Sequence, residues 1–327
     1  MKITTLLGAA TLAAAGLMGS TVTADELKFA HVYEVSHPLH TAAVKAAELF
    51  EERTEGRHTI AVFPASSLGK EADLNEGLSL GTVDIIYTGA GFAGAVYGPA
   101  SMTDFPFTLR NLAHWSAYYD SDVFAEVAKG YADATGGNEI AAVGYYGARH
   151  VTANKPILSP DDMKNLKIRV PNAPAYVLFP QATGANPTPM AFAEVYLALQ
   201  QGVVDAQENP LTTIKAKRFH EVQDHINLTG HIINSIFTVV SSVRLSMLTD
   251  ADRAILEEVL AETIDTATDE IVAAELELVE WFRSEGITVN EVDRAPFIEA
   301  VAPALTAGNL PFPDDLYEKL QSIPDAN

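Results

Sequence analysis

Hydrophobic and polar positions alternate in short runs along this chain, and each run gives way to a stretch with helical spacing. Residues 26–32 alternate and end in a short loop, 33–37. From Pro38 to about Thr54 the apolar residues Leu39, Ala43, Ala46, Ala47 and Phe50 fall on one helical face, and proline suits a helix start. Residues 59–63 read as a second strand stopped by Pro64, 69–80 as a helix and 83–88 as a third strand. A further strand, 140–146, precedes Arg149. Ser159-Pro160-Asp161-Asp162 combines an N-cap serine, proline at the first position and a carboxylate three on, so it marks a helix start. Residues 167–170 predict a strand, 192–201 a helix and 203–207 a strand. Strand then helix, repeated, predicts an α/β fold with largely parallel sheets.

The pattern changes late in the chain. Residues 251–285 contain no proline or glycine, and Thr249 with Asp252 three on is a suitable N-cap. One continuous helix here would be about 50 Å long at roughly 1.5 Å per residue, long enough to brace two lobes. The alternative is two helices broken at 263–268, where β-branched and short polar residues lower helix propensity. No internal repeat, low-complexity tract or long linker interrupts the pattern, which places domain boundaries at crossover strands.

The N-terminus adds a destination. Lys2, an apolar run over 3–18 and Val22-Thr23-Ala24 read as a signal peptide over 1–24, with the mature chain starting at Asp25. The apolar run is short of the roughly 20 residues that span a bilayer. No cysteine stands near the cleavage site for lipid attachment, so a soluble, periplasmic product is expected. The full chain of 327 residues has no cysteine at all. That excludes a disulfide framework, thiolate metal sites and thiol catalysis. Net charge is -22, and loss of Lys2 with the leader makes it -23. Such acidity argues against nucleic acid as a partner, because phosphate binding needs a basic face. It also repels anionic ligands at long range, so any anion site must be built locally from specific donors.

Several motifs carry less than they suggest. Gly89-Ala90-Gly91-Phe92-Ala93-Gly94 matches G-x-G-x-x-G, but it follows the third strand and runs into Gly98-Pro99 almost at once. What survives is a glycine-rich loop that permits close backbone approach. His220 and His225 stand five apart, off the one helical face that H-E-x-x-H needs, and no metal or cofactor site is expected. No G-x-S-x-G elbow is present, so hydrolase chemistry has no anchor.

Two arginines are better candidates. Arg169 lies in Ile168-Arg169-Val170-Pro171 and Arg149 in Gly147-Ala148-Arg149-His150, with Asn209 before Pro210. A guanidinium is always charged and offers a planar fork that fits one carboxylate. A salt bridge for Arg169, a capped carbonyl for Arg149 and a turn for Asn209 are the structural alternatives.

These residues sit inside longer blocks. Gly147-x-Arg149, Asn154-Lys155-Pro156-Ile157, the run from Ser159 to Pro171, Glu194-Val195-Tyr196-x-Ala198-Leu199-Gln200-Gln201-Gly202-Val203-Val204-Asp205 and Gln207-Glu208-Asn209-Pro210 resemble the solute-binding proteins of tripartite ATP-independent periplasmic (TRAP) transporters, of the dicarboxylate-binding type. The resemblance covers essentially all of the mature chain. It implies a two-lobed, periplasmic-binding-protein-like α/β clamshell with mixed, mostly parallel sheets and a long C-terminal bracing helix. It implies lobe I from 25–146 plus 235–274 and lobe II from 147–234 plus 275–327, hinged near Gly147 to Arg149 and 235–239. It implies a monomer that binds a small carboxylate, delivers it to membrane permease subunits, and is not an enzyme. Arg169 falls at the position of the family's carboxylate-pairing arginine, Arg149 at a second ligand-contacting arginine, Asn209 at a ligand-contacting asparagine, and Phe192 where an aromatic often meets the ligand. Where the family usually has glycine, this chain has Asn165, in a turn that asparagine tolerates.

Two cations would overcompensate one carboxylate. Glu34 and Glu71 are the expected counterweights and, with His37, the expected readers of ligand hydroxyls. A hexuronate or another sugar acid is therefore expected ahead of a C4 dicarboxylate. Readings from other classes are a periplasmic enzyme acting on sugar acids and a binding subunit that feeds a sensor.

Overall fold

The computed structural model describes residues 25–326, so the expected signal segment lies outside the described residues. Nine strands form one sheet: β1 (Asp25–Ala30), β2 (His58–Phe63), β3 (Ile85–Gly89), β4 (Glu139–Ala153), β5 (Lys167–Val170), β6 (Asn186–Pro189), β7 (Ala206–Pro210), β8 (His225–Val240) and β9 (Thr288–Asn290). The order is β2-β1-β3-β8-β4-β7-β5-β6, with β9 on the far part of β8. The outer groups, β2-β1-β3 and β7-β5-β6, pair in parallel. The centre, β3-β8-β4-β7, pairs antiparallel. The sheet is thus mixed, and β4 and β8 pass from one half of the molecule to the other.

Three differences from the sequence reading have local causes. First, β4 does not stop at 146 but runs on through Arg149 to Ala153. Gly147 takes φ 121°, and the register against β8 shifts between Tyr145 and Gly147. A bulge is absorbed there rather than ending the strand. Second, β7 starts at Ala206, not 203, because the amides of Val203 and Val204 still bond to Ala198 O as the preceding helix unwinds. Third, β8 was anticipated only as a crossover segment at 235–239, whereas it begins at His225.

α1 spans Pro38–Arg53, and His37 caps it by accepting from Leu39 N at 3.2 Å. α2 spans Glu71–Ser79. The expected helix at 192–201 begins as a 3-10 turn, Phe192–Glu194, and continues as Val195–Gln200. Asn165 takes the left-handed conformation at φ 61°. The long helix runs unbroken over 35 residues, Asp250–Ser284, and Thr249 caps it by accepting from Asp252 N at 3.1 Å. Its hydroxyl-bearing stretch does not break because the hydroxyls find partners. Thr263 and Thr266 donate back to Val259 O and Glu262 O, and Thr268 accepts from Tyr145 N.

The core explains how one helix ties both halves. Leu256, Val259, Leu260 and Ile264 join the large cluster that holds β1, α1 and β3. Leu278 and Phe282 join a second cluster with Val195, Leu199, Ile214 and Phe219. Each such fully buried side chain contributes about 1.5–3 kcal/mol relative to exposure. The last helix, Asp314–Ser322, packs against Asp122–Thr135, and Arg110 reaches Asp325 at 2.6 Å. The tail therefore packs beside Asp122–Thr135 and Arg110.

Candidate functional site

A cavity of about 210 Å³ lies between the two halves. It gathers loops at the carboxyl ends of parallel strands, the usual crevice in α/β sheets. Tyr33 follows β1, Gly89 ends β3, Pro171 follows β5, and Asn209 lies one residue from the end of β7. Glu71, at the first turn of α2, completes one side, and Phe192 the other.

Arg169 is 2% exposed. Its Nε and Nη2 both donate to Met190 O, at 3.1 and 2.7 Å, and this fixes the plane of the guanidinium. Its Nη1 is buried and finds no acceptor among the described residues. Burial, with Arg149 nearby, draws its pKa down to about 10, and Glu208 opposes the shift. The ring of Phe192 lies under the guanidinium, 5.9 Å from centroid to Cζ.

Arg149 is equally buried but fully paired. It forks onto Glu208 through Nε and Nη2, donates from Nη1 to Asn234 Oδ1 at 2.8 Å, and reaches Asn209 Oδ1 at 3.2 Å. Register explains the proximity: Arg149 on β4 stands beside Pro210 on β7 and Ile232 on β8. Burial works against both charges of the pair, yet each outweighs that cost for the other. Arg149 is held above its ordinary range and Glu208 below its own, with His231 Nε2 3.2 Å from Glu208 Oε2. The arrangement presents one satisfied guanidinium and one with an open donor.

The glycine-rich segment builds part of the same wall. Its helical piece is only Ala90–Ala93, and Gly91 N donates to Asp104 Oδ2 at 2.6 Å. A Cβ on Gly91 would lie 2.8 Å from the Tyr176 ring. The close backbone approach is to Tyr176.

The sequence profile described as bacterial extracellular solute-binding protein, family 7, matches residues 29–308. The chain belongs to that family. A curated relative, the sialic acid-binding periplasmic protein of Vibrio cholerae serotype O1, is 35% identical over 293 residues, covering 90% of each chain. Among solved structures, a TRAP periplasmic solute binding protein from Roseobacter denitrificans OCh 114 with bound L-galactonate aligns with a TM-score of 0.85 at 32% identity. It covers 91% of this chain and 98% of that one. Another from Roseobacter denitrificans, with bound beta-D-glucuronate, has a TM-score of 0.86 at 28% identity, covering 92% and 100%. This family 7 protein is thus a two-lobed TRAP solute-binding protein, a binding component and not an enzyme. Proteins of its kind are periplasmic, bind small carboxylates and work with TRAP permease subunits.

Within the family 7 protein, five of the seven expected site residues line the cavity: Arg149, Arg169, Asn209, Glu71 and Phe192. Glu34 and His37 do not. Glu34 is half-buried and paired with Lys217 at 2.6 Å, and Lys217 in turn lies 4.9 Å from the Phe192 ring centroid. His37 stands behind the wall, its ring tilted against those of Tyr33 and Tyr146, with Nε2 3.2 Å from Thr213 Oγ1. Burial, aided by His31, lowers its pKa to about 3, so it is neutral. The charge balance assigned to Glu34 is supplied by Glu208, which sequence reasoning missed although it adjoins Asn209. Tyr33, Tyr146 and Tyr176 were missed too, because tyrosine in an alternating strand or loop reads as core.

Proposed function

We propose that this family 7 protein captures a sugar acid, a hexuronate first, by docking its carboxylate on Arg169, and delivers it to a TRAP permease driven by an ion gradient. One observation carries the reading: Arg169 lines the cavity, and its buried Nη1 has no acceptor among the described residues. Arg149 and Asn209 hold that wall in shape and offer polar edges, Phe192 packs beneath, and Glu71 accepts from ligand hydroxyls. His37 and Glu34 act behind the wall. Relatives with bound L-galactonate and beta-D-glucuronate accord with a polyhydroxylated acid.

Closure pivots on β4 near Gly147 to Arg149 and on β8 at 235–239, with the long helix as a third connection. The lobes are 25–146 with 235–274 and 147–234 with 275–313, and the tail past Pro313 rides on the first. Export removes 1–24 and the product is a monomer; native mass spectrometry of the secreted protein should give one chain starting at Asp25, and any other start or a dimer refutes this.

The decisive experiment is titration calorimetry with D-glucuronate, D-galacturonate and succinate. The uronates should bind best. Arg169→Ala should cost about 3–5 kcal/mol, the penalty for a buried charge left unpaired. A loss of under about tenfold (~1.4 kcal/mol) removes the role given to Arg169, and a preference for succinate removes the ligand class.

A further inference from the structure

The β1–β3 side of the cavity is acidic, and no cation among the described residues forms an ion pair with its two carboxyl groups. Glu71 Oε1 accepts from Gly89 N at 2.7 Å and from Thr88 Oγ1 at 3.1 Å. Its Oε2 takes no hydrogen bond and no ion pair from the described residues, and Glu71 lines the cavity. Asp104, wholly buried, adds a second carboxyl group: Oδ2 accepts from Gly91 N and Tyr176 Oη, and Oδ1 from Asn234 Nδ2, each at 2.6 Å. A Cβ on Gly89 would stand 3.6 Å from Asp104 Oδ2 and 3.8 Å from Glu71 Oε1. Two carboxyl groups therefore converge on one backbone position.

Positive charge is on the other side. Arg149 is cancelled by Glu208, which leaves Arg169. Lys70, beside Glu71, is exposed at the rim, where water and salt screen it. The first turn of α2 offers little to an anion either, since Glu71 and Asp73 already complement its dipole and Asp73 Oδ2 accepts from Lys70 N.

We propose that Glu71 makes the site selective for acids with a single carboxylate: the end of the ligand away from Arg169 must be a neutral hydroxyl that donates to Glu71 Oε2, and a second carboxylate there meets like charge. This rests on the reading of Arg169 as the carboxylate anchor. Acids oxidised at both ends are excluded by repulsion, a rejection built into the wall rather than a missing attraction.

The protonation behaviour agrees. Burial lifts the Glu71 carboxyl to about 7, against hydrogen bonds from Gly89 and Thr88, and lifts Asp104 to about 6. The charged and titratable groups facing Glu71 are Asp104, Arg149, Arg169, Tyr33, Tyr146 and Tyr176. A third carboxylate in this space raises these values further, so a diacid binds only with proton uptake. Its affinity rises as pH falls through about 7, because Glu71 and then Asp104 become neutral.

The test compares D-glucuronate and D-gluconate with D-glucarate, which carries a carboxylate at both ends, by calorimetry at neutral to alkaline pH. Wild-type protein should bind the better monocarboxylate roughly a hundredfold more tightly than glucarate, and Glu71→Gln should narrow that gap to within about tenfold. Equal wild-type affinities, or a gap that Glu71→Gln leaves intact, overturn the proposal. Should the variant fold poorly by its melting curve, wild-type protein at mildly acid pH serves instead. The gap must narrow there, and a gap independent of pH is equally fatal. Arg169→Ala separates the two layers. If it abolishes binding of every acid while the gap ignores Glu71, only the selectivity fails. If Arg169→Ala still binds, or wild type binds none of the three, the anchor reading falls and the selectivity with it.

Discussion

Arg149 and Arg169 lie on the same wall with the same 2% exposure, yet their surroundings divide the work between them. Arg149 is held by Glu208, Asn234 and Asn209, whereas Arg169 is oriented by one carbonyl and keeps a donor open. A buried ion pair adds little net stability, but losing one partner strands the other charge. Glu208→Gln should therefore destabilise the protein by about 3–5 kcal/mol in urea unfolding. A change under about 1 kcal/mol would mean that Arg149 is compensated by other groups. The local contexts of the two arginines do not separate them; only the family resemblance singles out Arg169 as the carboxylate partner. Both stand near β-branched or aromatic residues and both have acids in the neighbouring segments. Glu208 reads as one more solvated acid in an acidic chain, and only the β4–β7 register brings it against Arg149.

At the scale of elements, the two halves touch directly across the cavity. Tyr176, in the 3-10 turn Pro174–Val177, donates to Asp104, in the turn Gly98–Asp104, at 2.6 Å. The hydroxyl meets a buried carboxyl group, and such a charge-assisted bond is worth about 1.5–3 kcal/mol. Tyr176→Phe keeps the ring over which Arg149 Cζ sits at 5.0 Å and removes only this latch. Ligand dissociation should accelerate about tenfold in stopped-flow measurements while association barely changes. An unaltered dissociation rate would deny the latch any part in holding the closed form. The elements themselves were legible where one period dominates: β5 matches its expected bounds, and α1 and the long helix match within a residue or two at each end. The start of β8 escaped because its sequence mixes His225, Asn227, Thr229, Gly230 and His231 with apolar residues. Its polar groups are buried by neighbours on both sides, and strict alternation marks only half-buried strands.

For the whole molecule, buried histidines set the response to acid. Burial holds His31, His37 and His150 neutral down to about 3, against about 6.5 for exposed imidazole. A depressed folded-state value means that the unfolded chain takes up the protons first. The stability these groups contribute is present above about pH 6.5 and is lost progressively as pH falls towards 3. Glu71 and Asp104 act in the opposite sense. Their raised values cost stability at alkaline pH and release it as pH falls through about 7 and 6. Three large shifts outweigh two smaller ones, so the melting temperature in ligand-free buffer should fall steadily on acidification below about pH 6. His37→Asn, which can still cap α1 but cannot titrate, should flatten that slope; an identical slope would clear His37 of any part in it.

The single sheet shared by both halves also bears on protein engineering. Neither half is a stretch of chain that can be cut out and expressed. β4 and β8 lie side by side from Glu139 against Val240 to Ala153 against His225, and each half needs a different portion of both. A fragment ending inside either strand would uncover a long apolar edge, the kind that recruits strands from other molecules and drives aggregation. Chimeras between relatives are better built by exchanging the loops at the strand ends, which form the cavity, than by exchanging lobes.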